Sequence, residues 1–246
     1  MKTQVAWNFR RSRTELQVTP GRRETLDIRG AEWLQGVQSE LLLPLDYDPD
    51  KARTKKLELA YDITGLTALK KRLPRVWTQE RYYTTLEGIE RVCAECASGT
   101  RLIERILFDI DHVYLTEDYE PRFVYVPFEG VAYDASQNSP LLVLGALAGR
   151  RMRFDSAAGQ ANAASLRQWA LTKQVFSLND YRAFLDREFP TIRAAARNVT
   201  SSWDERENGP SDSRIAFMDS LFAGFGDASS TGDSADASAD GARTEA

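Results

Sequence analysis

Apolar and polar positions alternate at the start of the chain, in Gln4-Val5-Ala6-Trp7-Asn8-Phe9, and again in Leu16-Gln17-Val18 after Arg11-Ser12-Arg13. A period of two sends successive side chains to opposite faces, so the pattern predicts two antiparallel strands around a turn, with the aromatic face buried and the basic face wet. Leu41 to Tyr47 and Leu57 to Ile63 are two further β-rich runs, separated by Asp48-Pro49-Asp50 and a basic stretch unsuited to a central strand. Between the pairs, Gly30 to Glu40 reads as a short helix carrying Trp33, Leu34 and Val37.

From residue 65 the period changes. Leu66, Leu69 and Leu73 keep helical spacing until Pro74, and Tyr82, Leu86, Ile89, Cys93 and Cys96 form one stripe of a helix over about Gln79 to Ala97. Three short strands are predicted next: Arg105 to Phe108, His112 to Thr116 and Arg122 to Val126, with Glu117 to Glu120 as a turn and Pro127 ending the sheet. Ser139-Pro140 is an N-cap and N1 pair for a helix with Leu141, Leu142, Leu144 and Leu147. Ser156 to Gly159 reads as a linker. Leu166, Trp169, Ala170 and Lys173 share a face of the next helix, and Ser177 with Asp180 caps a last core helix with Tyr181, Phe184 and Leu185, ended by Pro190. The pattern predicts an α+β domain over residues 1–190, with a small antiparallel sheet lobe to about residue 64 and a mainly helical lobe from about 65 to 190.

Residues 191–246 turn to Ala, Asn, Ser, Asp and Gly, a composition too poor in apolar surface to offset ordering entropy, and read as a disordered tail. One apolar island interrupts it. Ile215, Met218, Leu221, Phe222 and Phe225 follow the cap candidate Asp212 at helical spacing, so about 213–225 reads as a short amphipathic helix and as the candidate partner-binding segment.

Charge changes the picture only when divided along the chain. Of 246 residues, 28% are charged and the net charge is −4. Asp227, Asp233, Asp236, Asp240 and Glu245 against Arg243 place that whole excess in the last twenty residues, whereas the first thirty carry a basic surplus in Lys2, Arg10, Arg11, Arg13, Arg22, Arg23 and Arg29. A pI near 5.3 argues against nucleic acid as a partner. No apolar run of membrane-spanning length occurs, and no signal peptide follows Met1, so a cytoplasmic protein is expected. Cys93 and Cys96 lie on the apolar stripe with no second pair, which predicts buried thiols in place of a metal or redox site, and no cofactor is expected.

The order of elements is also that of a protein kinase, so phosphoryl transfer is testable residue by residue. Positioned carboxylates and Mg²⁺ supply most of that catalysis. The equivalent stretch, Leu107-Phe108-Asp109-Ile110-Asp111-His112-Val113-Tyr114-Leu115, holds no H-R-D, no downstream Asn and no D-F-G, and Tyr125-Val126-Pro127 stands where the metal-binding Asp belongs. No G-x-G-x-x-G precedes it. A non-catalytic domain is therefore expected. The rival reading is a nucleotide- or metal-binding residual kinase-like enzyme using Asp109, Asp111 or His112.

Several segments together resemble a known bacterial domain: Glu40-Leu-Leu-Leu-Pro-Leu45, Leu57-Glu-Leu-Ala-Tyr-Asp-Ile-Thr64, and Ile106-Leu-Phe-Asp-Ile-Asp-His-Val-Tyr-Leu-Thr116 with Arg122-Phe-Val-Tyr-Val-Pro127. They are similar to the N-terminal domain that precedes forkhead-associated (FHA) phosphothreonine-binding domains in many bacterial proteins. That family shares its layout with degenerate kinase-like domains such as the cytoplasmic part of the type VII secretion pseudokinase component. The resemblance covers about Met1 to Phe189. It implies a degenerate kinase-like fold, a scaffold role without catalysis in a signalling or secretion-associated system, and protein partners such as an FHA-domain or secretion-system protein. The roughly 57 residues after Phe189 are too few and too polar for an FHA sandwich of their own.

Overall fold

The computed structural model describes residues 1–36, 39–52, 54, 57–98, 103–129 and 138–194. The tail segment with Ile215, Met218, Leu221, Phe222 and Phe225 lies outside the described residues.

The opening alternation forms β1 (Lys2–Asn8) and β2 (Arg13–Thr19), paired antiparallel with Val5 opposite Leu16 and Trp7 opposite Thr14. The short strand β3 (Thr25–Leu26) leads into α1 (Ile28–Gly36), whose first turn is capped by Asp27 through Oδ1, which accepts from the Gly30 N–H at 3.0 Å. β4 (Leu45–Tyr47) and β5 (Leu59–Asp62) complete a four-stranded antiparallel sheet in the order β1-β2-β5-β4. Its register puts Leu16, Val18, Leu45, Tyr47, Leu59 and Tyr61 on one buried face.

That face is covered unevenly, and one expectation fails as a result. Trp7 and Phe9 are 50% and 86% exposed, although Trp7 stands on the face that is core elsewhere in the sheet. The helix covering the face, α1, packs against β4 at the far edge, so the edge strand β1 extends past the core it was expected to bury.

Gly65 adopts φ +76° in the turn after β5, a conformation open to glycine and strained for L side chains. The chain then runs through β6 (Thr67–Ala68), the single turn α2 (Leu69–Arg72), β7 (Val76–Trp77) and the long α3 (Gln79–Ser98). The predicted stripe of α3 is buried as expected, including both cysteines. Buried hydroxyls around α3 find backbone acceptors: Tyr82 donates to Leu147 O at 3.2 Å, Thr85 to Tyr119 O at 2.9 Å and Tyr181 to Leu86 O at 3.0 Å.

β8 (Val113–Leu115) and β9 (Pro121–Phe123) form the predicted pair, extended by β6 to three strands. Arg105 to Phe108 is no strand. Residues Ile103–Arg105 make a 3₁₀ turn, and only Ile106 forms an isolated bridge, to Tyr125. Asn138 braces the other side of the segment: its amide donates to Glu104 O at 2.9 Å and Ile106 O at 2.7 Å, and its Oδ1 accepts from Phe108 N at 2.8 Å. Arg105 O and Leu107 N pair with Val126 and Val124, and one side chain satisfies the backbone groups that point away from them.

Pro127 does not end strand pairing either. β10 (Phe128–Glu129) follows it at once and pairs antiparallel with β3.

Ser139 caps α4 (Pro140–Leu147) as predicted, accepting from Leu141 N at 3.3 Å. β11 (Arg153–Phe154) then runs parallel to β7. The expected linker is instead the start of a helix: Ser156 caps α5 (Ala157–Leu171), and small residues allow it to lie tight on β11, where a Cβ at Gly159 would stand 2.6 Å from Phe154 Cδ1. Ser177 caps α6 (Leu178–Glu188), and the chain turns helical again over 190–194 with Pro190 at its first position, where its missing N–H costs nothing. Mixed strands and helices of this layout make the fold α+β.

Candidate functional site

The loop between the 3₁₀ turn and β8 carries the residues that a phosphoryl-transfer or metal site would use. Asp109 Oδ1 accepts from the Asp111 N–H at 2.9 Å and the His112 N–H at 3.1 Å, while Oδ2 sits 2.6 Å from His112 Nδ1. Burial opposes ionisation of Asp109, but the hydrogen bond and charge of His112 and the two backbone N–H groups outweigh it and hold the carboxyl below its ordinary value. Both oxygens of Asp109 are thus used to close their own turn. Asp111 points elsewhere, to Lys70 Nζ at 2.9 Å, and the Lys70 N–H donates to Ile110 O at 2.9 Å, so α2 and the loop are tied together. The two carboxylates and the histidine form a capped turn with an exposed ion pair, and among the described residues no group of three His, Cys, Asp or Glu side chains is placed to hold a metal ion.

The position after β9 is filled in a different way. Tyr125 is buried, its ring meets Trp33 edge-on at 6.4 Å, and its carbonyl accepts from the Tyr61 hydroxyl at 2.7 Å. The Val126 N–H donates to Arg105 O at 2.8 Å. Aromatic packing and backbone pairing therefore occupy the Tyr125-Val126-Pro127 position. Arg105 itself pairs with the α1 cap, Asp27, at 2.5 Å. Burial opposes the charge on Asp27, but the guanidinium and the N–H groups of Gly30 and Arg29 outweigh it and lower its carboxyl.

The second polar cluster stands on the outer face of the first sheet. Glu15, 2% exposed, accepts from Asn8 Nδ2 at 2.9 Å and from Arg13 Nε at 2.6 Å, and Arg13 Nη2 reaches Asp46 at 2.9 Å. Arg11 also pairs with Asp46. Burial resists the charge on Glu15, yet Asn8 and the two arginines hold its carboxyl below the usual range. A cleft of about 780 Å³ lies beside the cluster, lined by Arg10, Arg11, Lys51, Asp46, Asp48 and Glu58 among others. Its signs are mixed. Of the hairpin arginines, Arg11 and Arg13 are already neutralised by carboxylates.

Cys93 and Cys96 line a small apolar cavity of about 320 Å³ with Ile103, Phe176 and Leu178. Burial pushes the Cys93 thiol well up, with the neighbouring Cys96 and Glu90 adding to it, the opposite of what a reactive or metal-ligating thiolate needs. Sequence reasoning missed Asn138, which shapes the loop; its only sequence signal is the polar Asn ahead of a Ser-Pro helix start, thirty residues from its nearest target.

No family model matches the chain, and no curated protein matches it. Among solved structures it is similar to the apo GRMZM2G135359 pseudokinase, at 13% identity over 72% of this chain and 84% of that one, with a TM-score of 0.48. It is also similar to a Neurospora crassa PAN3 pseudokinase mutant, at 11% identity over 90% of this chain and 62% of that one, with a TM-score of 0.47. Among the described residues no helix is long and apolar enough to cross a membrane.

Proposed function

We propose that this chain is a degenerate kinase-like domain that binds protein partners and transfers no phosphoryl group, acting in the cytoplasm within a bacterial signalling or secretion-associated system linked to FHA phosphothreonine reading. The observation that carries the reading is the commitment of Asp109. Asp109 Oδ1 accepts from two backbone N–H groups and Oδ2 is held by His112, so the carboxylate caps its own turn, which supports a structural role for it. Tyr125, buried and bonded to Tyr61 in place of a metal-binding carboxylate, supports the same conclusion. The link to FHA proteins rests on the resemblance of the segments around residues 40–64 and 106–127.

The partner contact is assigned to the tail, through Ile215, Met218, Leu221, Phe222 and Phe225. An apolar helical stripe in a polar, low-complexity segment gains little alone and gains a hydrophobic groove when it docks. Affinity capture with the full chain as bait tests this. Replacing Leu221, Phe222 and Phe225 together by serine is expected to lower recovery of an FHA-domain or secretion-system protein about tenfold or more, as for loss of interface anchors. Equal recovery from both baits would remove the tail from the account.

A further inference from the structure

A basic surface in the helical part of the chain is assembled from two distant segments. β7 and β11 pair in parallel with Arg153 opposite Val76 and Phe154 opposite Trp77. Alternation turns Trp77 and Phe154 inward, against Tyr82 at 6.3 and 5.0 Å, and leaves Val76 and Arg153 facing water. The pairing brings Arg75 alongside the Arg150–Arg153 stretch. Arg75, Arg150, Arg151 and Arg153 are all exposed, and none has a carboxylate within ion-pair distance among the described residues.

Next to them is a built feature. Tyr119, held at φ +66° in the turn between β8 and β9, sets its ring edge-on to Trp77 at 4.6 Å. Two guanidiniums lie over that ring, Arg72 at 5.1 Å and Arg81 at 4.9 Å from its centre. Neither has an ion-pair partner among the described residues, and the Nε of Arg72 is buried with no hydrogen-bond acceptor. The Trp77 indole donates to Arg72 O at 3.1 Å, and the Arg75 N–H donates to the same carbonyl at 2.9 Å, so the seat and the surface are parts of one turn. Like charges are held together on one ring, and the donor that lacks an acceptor belongs to one of them.

We propose that Arg72 and Arg81 on the Tyr119 ring, with Arg75 and Arg153 around the exposed Val76, form a docking surface for an acidic segment of a partner protein. Arginine forks match carboxylates two bonds at a time, which suits recognition of individual acidic side chains. The apolar Val76, 51% exposed inside a ring of arginines, gives such a segment an anchor for one apolar residue between its carboxylates. The rest of the molecule argues against an extended anionic partner. Residues 31–226 carry an acidic surplus and the pI is near 5.3, so a membrane or a nucleic acid would meet repulsion beyond the patch. The Tyr119 ring beside the patch is buried beneath two guanidiniums and offers no platform for a base. This surface is independent of the tail segment and of the fate of Asp109.

Fluorescence anisotropy with the full chain and a fluorescein-labelled peptide of six glutamates around two leucines tests the proposal. Binding is expected to weaken as salt rises from about 50 to about 200 mM. Arg75→Glu with Arg153→Glu, both at exposed sites, is expected to lower the affinity about tenfold or more with the melting temperature unchanged. Arg72→Lys with Arg81→Lys keeps the charge and loses the forks, and is expected to weaken binding as well. Full affinity in the double Glu variant would overturn the proposal, and full affinity in the double Lys variant would overturn the fork recognition at its centre. Displacement of the peptide by phosphatidylserine vesicles or by duplex DNA, with tighter binding of either than of the peptide, would overturn it in favour of a membrane or nucleic-acid surface.

Discussion

Replacing Gly88 by alanine will destabilise the folded chain by about 1–3 kcal/mol, although alanine is the better helix former by about 1 kcal/mol. Gly88 lies in the middle of α3, where β9 crosses it, and the missing side chain admits the ring of Pro121. A Cβ built there would stand 2.5 Å from Pro121 Cδ and nearer still to Cγ. Neither neighbour yields easily. Pro121 is buried, opens β9 opposite Leu115, and cannot rotate its ring away from its own backbone. α3 is pinned just ahead of Gly88 by the Tyr82, Thr85 and Tyr181 hydrogen bonds. Urea unfolding of Gly88→Ala should show a lower midpoint with an unchanged slope. A midpoint at or above that of the parent would mean that helix and strand separate freely, and the packing described here would be wrong.

The second large effect is expected at Trp77. This indole is fully buried, meets Tyr82 and Tyr119 edge-on, and hydrogen-bonds the Arg72 carbonyl. Trp77→Ala should cost about 3–5 kcal/mol, the range for emptying a large aromatic site that cannot collapse. Trp77→Phe separates volume from polarity: it keeps much of the packing, loses the N–H bond, and should cost about 1 kcal/mol for the bond in addition to a smaller cavity. Comparing the two by thermal unfolding checks the assignment. Equal costs would mean that neither the volume nor the rings it touches matter.

What the sequence revealed and what it concealed follow from the range of the interactions. The α3 stripe of Tyr82, Leu86, Ile89, Cys93 and Cys96 was legible because a twenty-residue helix repeats its period several times. The caps at Ser139 and Ser177 were legible because an N-cap acts over two or three residues. Ile106-Leu107-Phe108 reads as a strand by composition, and its outer backbone groups are held by Asn138, which no local pattern connects to it. Ser156 to Gly159 reads as a linker because small residues signal flexibility, while here they allow α5 to approach Phe154. Trp7 and Phe9 obey the alternation and still face water, since periodicity says which residues share a face and not how far the covering layer extends. At the candidate site, the absence of H-R-D and D-F-G motifs was visible in the sequence, but the use of Asp109 as a turn cap and the seating of Arg72 and Arg81 on Tyr119 were not. The arginine surface depends on parallel pairing of two-residue strands 77 positions apart, a length at which no period exists.

If the loop around Asp109 serves only to cap its own turn, it holds no nucleotide with its metal. Thermal unfolding of the full chain with and without ATP and Mg²⁺ reads this out. A ligand that binds only the folded state, present at about 100 times its Kd, adds about 2.7 kcal/mol, which in a domain of this size is a rise in melting temperature of roughly 5–11 °C. The melting temperature is expected to stay unchanged at every ATP concentration. A reproducible rise that requires Mg²⁺ and disappears in Asp111→Ala would contradict it.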